Sequence, residues 1–134
     1  MNTNWNFNSM KGKLPWPISG TIISKFGNKK NKKLKTITEN LGIDIKANKN
    51  KEVISVLAGV VSTITYIRGH GNIIIIDHGD GFNTVYSNVV NMQIDENDYI
   101  PAGKIIAQVD NDLILHFEIW GNQKKMNPEQ WLIK

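Results

Sequence analysis

Imidazole side chains are scarce in this sequence, and their positions limit the chemistry that it can perform. The 134 residues include three histidines, His70, His78 and His116, and no cysteine. Thiolate zinc sites, iron–sulfur clusters, disulfides and thiol nucleophiles are therefore excluded. A catalytic zinc normally has three protein ligands and a water, and acid–base catalysis needs a group that exchanges protons near neutral pH. Any such site must be assembled from these histidines and the carboxylates around them.

His116 stands in the segment 113–120, LILHFEIW, which we predict to be a strand. Because residues two apart on a strand face the same side of a sheet, Ile114, His116, Glu118 and Trp120 should share one face. Trp120 would give this face an apolar rim. The other tryptophans, Trp16 and Trp131, are expected to pack in the core or at its edge.

The elements that must position this face are predicted to be almost entirely β-strands. Apolar and β-branched residues recur every 8 to 12 positions with Gly, Pro or Asp between them, and no segment has a sustained helical period. We predict an all-β fold of antiparallel sheets packed as a sandwich, with GDGF at 79–82 as the turn of a hairpin. The predicted strands are 20–27, 42–46, two within 53–67 separated by a tight turn, 72–79, 83–87, 100–109 and 113–120, with 101–103 as a turn before the first of the last two.

The ends of the sequence differ in character. Residues 1–12 are Asn-rich and polar, so we expect a flexible tail or linker remnant, followed by one domain over 13–134. The longest apolar run, Ile73 to Ile76, is far shorter than the roughly 20 residues that cross a bilayer. No signal-peptide core is visible near the N-terminus. Neither membrane insertion nor export is therefore predicted from these residues.

The positive charge is local. The chain carries a formal charge of +4, yet nine lysines and two acidic residues lie between Lys25 and Lys51. The stretch 28–41 is predicted to be a long basic loop that is solvated or attracted to an acidic surface. It lacks interleaved aromatic residues for base stacking, so a nucleic-acid partner is not expected.

Several motifs in a fixed order resemble the LytM or lysostaphin-like zinc metallopeptidase family. They are LPWPISGTIISKFG at 14–27, GIDI and VLAGVV within 42–61, GHGNIIIIDHGDGFNTVYSN at 69–88, PAGKIIAQV at 101–109, LHFEIW at 115–120 and MNPEQWL at 126–132. The resemblance implies the duplicated hybrid motif of a LytM domain. Within the family the likeness is greatest to a non-catalytic branch, the murein hydrolase activator EnvC, which has similar LPWP, FEIW and NPEQWL segments.

Active members of the family bind zinc through an H-x-x-x-D motif and the second histidine of an H-x-H strand. In this sequence the first motif reads N-L-G-I-D, so Asn40 takes the place of the ligand histidine and Asp44 is retained. His116 is retained in the second motif. The resemblance therefore leaves Asp44 and His116 as vestigial ligand positions, and we predict that no metal is bound. An amide oxygen is a poor substitute for imidazole on zinc.

The groups that handle the attacking water in active relatives are also replaced. The family's tyrosine–x–histidine motif reads Y-S-N here, which keeps Tyr86 and puts Asn88 at the histidine position. Ile114 stands where the first histidine of H-x-H is expected. Neither an amide nor an alkyl side chain can act as acid or base. The resemblance thus implies a domain that is not an enzyme and needs no cofactor.

A degenerate cleft of this kind suits a peptide or an amphipathic helix. As the resemblance implies, the chain would activate a peptidoglycan amidase by binding its regulatory helix during cell-wall remodelling or division, in the periplasm or cell envelope. A scaffold that binds peptidoglycan or another envelope protein is the alternative, and a residual peptidase is a third. The expected groove residues are Asn40, Asp44, Tyr86, Asn88, Ile114, His116 and Glu118.

The histidines also have simpler interpretations. His78 is expected to be structural, His70 to be an exposed loop residue, and His116 to be hydrogen-bonded to Asp44 without a metal. A separate site built from His70, His78 and Asp80 is conceivable, although their loop spacing provides no strand or helix to orient them.

Overall fold

A computed structural model describes residues 6–134, which form twelve β-strands and two short 3-10 helices. The predicted all-β architecture of antiparallel sheets is confirmed, since every pairing between named strands is antiparallel. The strands are β1 Gly20–Ser24, β2 Gly27–Asn31, β3 Thr36–Asn40, β4 Ile43–Ala47, β5 Glu52–Ile54, β6 Gly59–Ile67, β7 Gly71–Gly79, β8 Phe82–Val90, β9 Tyr99–Ile100, β10 Ile105–Val109, β11 Ile114–Gly121 and β12 Lys124–Met126. The helices are Phe7–Met10 and Pro128–Gln130.

Most strands belong to one continuous sheet in the order β1-β4-β11-β8-β7-β6-β9. β12 extends along β11 beyond the end of β4, and the β5–β10 pair joins the sheet through β8. β11 lies between β4 and β8, with His116 opposite Asp44 on one side and Ser87 on the other. The strand that carries the predicted groove residues is therefore central in the sheet.

The two faces of this sheet have different environments. Leu115, Phe117 and Ile119 of β11 are fully buried, whereas the residues between them are half-buried. Phe117 lies opposite Ile43 of β4 and Tyr86 of β8, so the apolar side chains of three neighbouring strands meet on the core face. The alternation predicted from the sequence thus separates a core face from a groove face.

A buried polar chain ties β7 and β8 to the loop before β6. His78 is 2% exposed, with Nδ1 2.7 Å from the carbonyl oxygen of Ala58 and Nε2 2.7 Å from Thr84 Oγ1. The hydroxyl of Thr84 is in turn hydrogen-bonded to that of Tyr86 over 2.9 Å. Burial lowers the pKa of His78 to about 4. The imidazole is therefore neutral at pH 7, and the structural interpretation of His78 is confirmed.

The basic stretch 28–41 is not the long loop that we predicted. β2 and β3 form an antiparallel hairpin in which Gly27 lies opposite Asn40. At its tip the side-chain oxygen of Asn31 accepts hydrogen bonds from the backbone of Lys33 and Leu34, a local turn that the sequence pattern did not indicate. Charged residues on two exposed strands have no buried face, so the usual alternation of apolar and polar residues is absent.

Two further parts of the strand prediction can be compared with the structure. The segment 53–67 does hold two strands, but β5 pairs with β10 while β6 pairs with β7 and β9. The predicted turn at 101–103 is present and contains Gly103, whose φ is +81°; it separates the short strand β9 from β10 within the predicted strand 100–109.

The predicted flexible tail over 1–12 is wrong for residues 7–10, and residues 1–5 lie outside the described part. Phe7 begins the first 3-10 helix and is 1% exposed. Its ring stacks on Phe82 at 4.6 Å between centroids and contacts Trp131 at 5.1 Å. Phe7 docks this part of a polar segment, because the surrounding rings offer a large apolar contact.

The two ends of the described chain meet beside this cluster. Leu14 and Leu132 form a parallel bridge, and the indole of Trp16 donates to the carbonyl oxygen of Ile133 over 2.8 Å. Across residues 6–134, the helices are far too short to cross a membrane.

Candidate functional site

The groove face of the sheet carries a continuous trench, which we call the groove. One end is lined by Asp44, His70, Ser87, Asn88, Asp112, Ile114 and His116. The adjoining stretch is lined by Thr65, Ile67, Ile73, Ile75, Val85, Glu118, Trp120 and Lys125, and it shares His70, Ser87 and His116 with the first. The two parts enclose about 330 and 210 Å³. The predicted common face of Ile114, His116, Glu118 and Trp120 is therefore present.

His116 is held between two carboxylates at the centre of the groove. Its Nδ1 lies 2.7 Å from Asp44 Oδ1 and its Nε2 lies 2.7 Å from Glu118 Oε2. Burial alone would lower the pKa of His116, but hydrogen bonds to Asp44 and Glu118 and their negative charges outweigh it and raise the pKa to about 9. At neutral pH both ring nitrogens therefore donate protons. The predicted hydrogen bond between His116 and Asp44 is present.

Glu118 extends this network to the apolar rim. Burial would raise the pKa of Glu118, but its hydrogen bonds to His116 and Trp120 outweigh that effect and lower the pKa. Trp120 Nε1 donates to Glu118 Oε1 over 2.7 Å. On the neighbouring strand, Lys125 Nζ lies 5.1 Å from the centre of the Trp120 indole. The charged centre and the aromatic rim are thus fixed relative to each other.

Asn40 is adjacent to Asp44, as the spacing of the first motif requires. Its Nδ2 donates to Ser24 Oγ over 2.9 Å and to Asp44 Oδ2 over 3.3 Å, and its Oδ1 accepts from the backbone of Gly42 over 3.1 Å. The amide nitrogen, which carries no lone pair for a metal, is the atom directed at Asp44. Asn40 therefore completes hydrogen bonds in the place where active relatives have an imidazole ligand.

The side chains present do not fit a catalytic zinc ion. The amide oxygen of Asn40 already accepts a backbone hydrogen bond from Gly42 and is a poor substitute for an imidazole nitrogen on zinc. The carboxylates of Asp44 and Glu118 bind opposite nitrogens of the same ring instead of converging on one point. In residues 6–134 no group of three or more His, Asp and Glu side chains is arranged to hold a metal ion.

Asn88 and Ile114, which occupy the positions of the catalytic histidines, are joined to each other by a local hydrogen bond. Asn88 adopts a positive φ of 70°, and its Nδ2 donates over 2.7 Å both to Asp112 Oδ1 and to the carbonyl oxygen of Ile114. The half-buried side chain of Ile114 lines the same end of the groove. At this end an amide and an alkyl chain thus stand where groups that transfer protons would be needed, beside the carboxylate of Asp112 and the imidazole of His70.

Tyr86 does not line the groove, and this part of the prediction is wrong. Its side chain is fully buried on the core face, where its hydroxyl accepts a hydrogen bond from the backbone of Val56 over 3.2 Å. Burial raises the pKa of the Tyr86 phenol. Strand alternation explains the error, because Ser87 lies opposite His116 and Tyr86 lies opposite Phe117. The motif had fixed the position of the tyrosine in the sequence but not the face it occupies.

Several groove residues were not predicted from the sequence. The floor consists of Ile73, Ile75 and Val85, which are neighbours on β7 and β8. His70, expected in an exposed loop, is exposed and also borders the groove. The continuous run of four isoleucines concealed which of them face the groove. Pairing 72–79 with 83–87 and then applying alternation would have identified these residues.

The alternative site of His70, His78 and Asp80 is not formed. His70 precedes the first residue of β7 and His78 stands near its last, so most of a nine-residue strand separates them. At about 3.4 Å per residue this distance exceeds 20 Å. His78 moreover points into the core, where both of its ring nitrogens are hydrogen-bonded.

Comparison with protein families finds a match between residues 38–128 and the model of peptidase family M23. Similar curated proteins include the murein hydrolase activator NlpD of Escherichia coli, which is 34% identical over 122 residues. The outer membrane antigenic lipoprotein B of Haemophilus influenzae is also 34% identical over 122 residues, and the cell division protein DipM of Caulobacter vibrioides is 30% identical over 117. These matches cover 83–87% of this chain but only 18–30% of the relatives' lengths. They do not establish EnvC as the nearest relative, which stays a prediction.

Solved structures show the same fold. A zinc-containing peptidase from Vibrio cholerae superposes with a TM-score of 0.77 at 18% identity, over 92% of this chain and 41% of that one. One chain of the SpoIIQ–SpoIIIAH pore-forming complex superposes with a TM-score of 0.75 at 20% identity, over 93% of both chains. The fold is thus shared by a peptidase that contains zinc and by a component of a pore-forming assembly.

Proposed function

The chain belongs to peptidase family M23, and from this premise we propose that it is a non-catalytic member which activates a murein hydrolase in the cell envelope. The activation would proceed through binding of a peptidoglycan amidase in the groove. The observation that carries the proposal is the ion pair network at the groove centre, in which Asp44 and Glu118 hold a protonated His116. This network uses the surviving ligand positions for hydrogen bonding.

Loss of catalysis is supported at two independent levels. Metal binding lacks a third ligand, because the Asn40 amide is committed to Ser24, Asp44 and Gly42. Proton transfer at the family's catalytic positions is lost, because Asn88 and Ile114 cannot exchange protons near neutral pH. Restoring either function alone would leave the other missing.

The shape of the groove supports a peptide helix as its ligand. Its length along β11, from Ile114 to Trp120, is about 20 Å at roughly 3.3 Å per residue, which corresponds to about 13 residues of α-helix. Its floor of Ile73, Ile75 and Val85 is apolar and its centre is charged. An amphipathic helix could bury its apolar side on this floor and direct polar residues toward the centre.

Activation requires that the amidase exist in inhibited and open states. If a regulatory helix covers the amidase active site, capture of that helix in the groove stabilises the open state. Such a shift can be no larger than the difference in affinity of the groove for the two states. The chain would thus activate without contributing any chemical step.

The names of the relatives support this role and its location. NlpD is called a murein hydrolase activator, DipM a cell division protein, and the Haemophilus influenzae relative an outer membrane lipoprotein. A place in the envelope follows as part of the proposal, as does the predicted likeness to EnvC. The chain spans less than a third of these relatives' lengths, so the proposal concerns only the part of them that it matches.

Dye release from labelled sacculi tests the proposal, with this chain alone, a candidate amidase alone and both together. We expect release from the mixture only, and loss of that release with Ile114→Asp, which places a carboxylate beside Asp44 and Asp112. Asn8→Ala, at an exposed position away from the groove, serves as the matched control. Chelator-sensitive release by this chain alone would overturn the proposal, as would full activation by a folded Ile114→Asp variant.

A scaffold function is favoured by a different feature, the β2–β3 hairpin. Its exposed lysines form no salt bridge within residues 6–134, and Leu34 at its tip is 69% exposed. Unpaired lysines attract an acidic polymer or protein surface. Association with purified cell wall that weakens strongly between 50 and 500 mM salt, without amidase activation, would support this function instead. The lysines concerned are Lys29, Lys30, Lys32, Lys33 and Lys35.

A further inference from the structure

A second concavity lies beyond Trp120, at the end of the groove, and we call it the hollow. It encloses about 650 Å³ and is lined by Gly81, Asn83, Trp120, Asn122 and Gln123. No charged side chain belongs to this lining, in contrast to the groove centre. The hollow therefore offers an aromatic ring and carboxamides to a neutral ligand.

Two tight turns build the hollow. Asp80 and Gly81 join β7 to β8 with φ of 53° and 81°, and Asn122 and Gln123 join β11 to β12 with φ of 52° and 65°. Positive φ at both central residues is the geometry of two-residue hairpin turns. The turns are adjacent, since a Cβ added to Gly81 would lie 3.9 Å from the backbone nitrogen of Asn122. The carboxamides are thus presented from rigid backbone.

The Trp120 ring lines the hollow and is held by its neighbours. In the sheet it lies between Lys125 on β12 and Asn83 on β8. The Lys125 ammonium lies 5.1 Å above the indole, and the hydrogen bond from Nε1 to Glu118 prevents rotation of the ring. Trp120 and Asn83 both line the hollow, and a ring that is already oriented loses little entropy on binding.

The carboxamides of the hollow have unused hydrogen-bonding capacity. In the described part of the chain, the side chains of Asn83, Asn122 and Gln123 form no hydrogen bond with protein atoms. Each carboxamide offers two donors and an acceptor. The hollow therefore combines an apolar plane with several neutral donors and acceptors at its edge.

We propose that the hollow is a saccharide-binding subsite for a neutral N-acetylated sugar of a glycan strand. The C–H face of a pyranose would stack on the Trp120 indole, while its hydroxyl and acetamido groups would hydrogen-bond to Asn83, Asn122 and Gln123. A charged ligand would gain no ion pair from this lining. The inference deepens the proposed envelope function by naming the chemistry of the polymer beside which the groove would work.

The test uses the purified chain and a soluble N-acetylglucosamine tetramer, followed by NMR of indole and side-chain amide N–H signals. We expect saturable shifts at the Trp120 indole and at the carboxamides of Asn83, Asn122 and Gln123. Affinity should change less than twofold between 50 and 500 mM salt, because no charge lines the hollow. The double variant Asn83→Ala/Gln123→Gly should weaken binding at least tenfold, and the glycine preserves the positive φ at 123.

Ile114→Asp is the matched control, since Ile114 lies at the opposite end of the groove and outside the hollow. It should bind the tetramer as the wild type does, while Asn83→Ala/Gln123→Gly should still activate an amidase in solution. Failure of the activator proposal would thus leave the saccharide result unchanged. Absence of saturable shifts, equal affinity of the double variant, or binding of a stem peptide in place of the tetramer would overturn the inference.

Discussion

Asn40 donates its side-chain amide to Asp44 over 3.3 Å, at the two positions where active relatives place a histidine and an aspartate on zinc. The contact shows that the backbone still brings these positions together and that the side chain at 40 has changed the chemistry. A single substitution should therefore recover part of the metal site.

Asn40→His is expected to bind about one zinc ion per chain, because it restores a third ligand beside Asp44 and His116. Activity toward peptidoglycan peptides should remain absent, since Asn88 and Ile114 still cannot transfer protons. Metal analysis of the purified variant and a peptide-cleavage assay check the two parts separately. Asn88→His, which adds no ligand to the first motif, is the control and should bind no stoichiometric zinc. Peptide cleavage by Asn40→His would show that the proton-handling histidines are dispensable.

Because Asp44 and Glu118 raise the pKa of His116, the free energy of unfolding should fall as the pH rises through the alkaline range. The folded pKa of about 9 lies above the unfolded value of 6.5, so the contribution is complete below pH 6.5 and is lost as pH rises through 9. The difference corresponds to at most about 3 kcal/mol in the free energy of unfolding. Urea unfolding at pH 6.5, 8 and 9.5 measures it. His116→Gln should flatten this limb and His70→Asn should not; an unchanged slope in His116→Gln would refute the assignment.

Buried His78 should have the opposite effect at acid pH. Its folded pKa of about 4 lies below the unfolded value of 6.5, so the unfolded chain takes up a proton first and stability falls as pH drops from 6.5 to 4. The loss is again at most about 3 kcal/mol, and protonation of Glu118, whose folded pKa is lowered, adds to it. Unfolding of His78→Gln should depend less on pH in this range than wild type. If His116→Gln and His78→Gln both behave as expected, the two histidines together make the wild-type chain most stable near pH 6.5.

Phe7 should contribute to stability although it lies in a polar N-terminal segment. Phe7→Ala removes the ring stacked on Phe82 and beside Trp131, and such truncations of buried aromatics cost about 3 kcal/mol or more. Urea unfolding of Phe7→Ala beside Asn8→Ala, an exposed neighbour, checks this value. A loss below about 0.5 kcal/mol would favour the flexible tail that the sequence predicts.

Alternation along a strand was the most reliable part of the sequence analysis. It correctly placed His116 and Glu118 on one face, because each position on a regular strand has a determined side. The same rule, applied to Tyr86 and Ser87, would have assigned the serine to the groove. The error arose because a motif defines which residues occur and not which way they face. Phe7 could not be predicted, because its partners are distant in sequence and its neighbours are polar.

The basic hairpin marks another limit of sequence reasoning. Strand prediction depends on one buried face, and β2 and β3 are exposed along nearly their whole length. Their pairing is held by backbone hydrogen bonds and by the turn at Asn31. The lysine-rich composition of this stretch therefore led us to predict a loop where the structure has a β-hairpin.

The inward position of Tyr86 has a consequence for how the opposite face recognises a partner. Hydrogen bonds of the Tyr86 hydroxyl and the His78 imidazole hold the strands beneath the groove on the core side, so the surface that we propose for recognition would be formed before a partner binds. A preorganised surface loses little conformational entropy on association, and the cost of ordering falls on the incoming segment. Differences in affinity among partners would then follow their own helix propensity, with residence time as the quantity that varies.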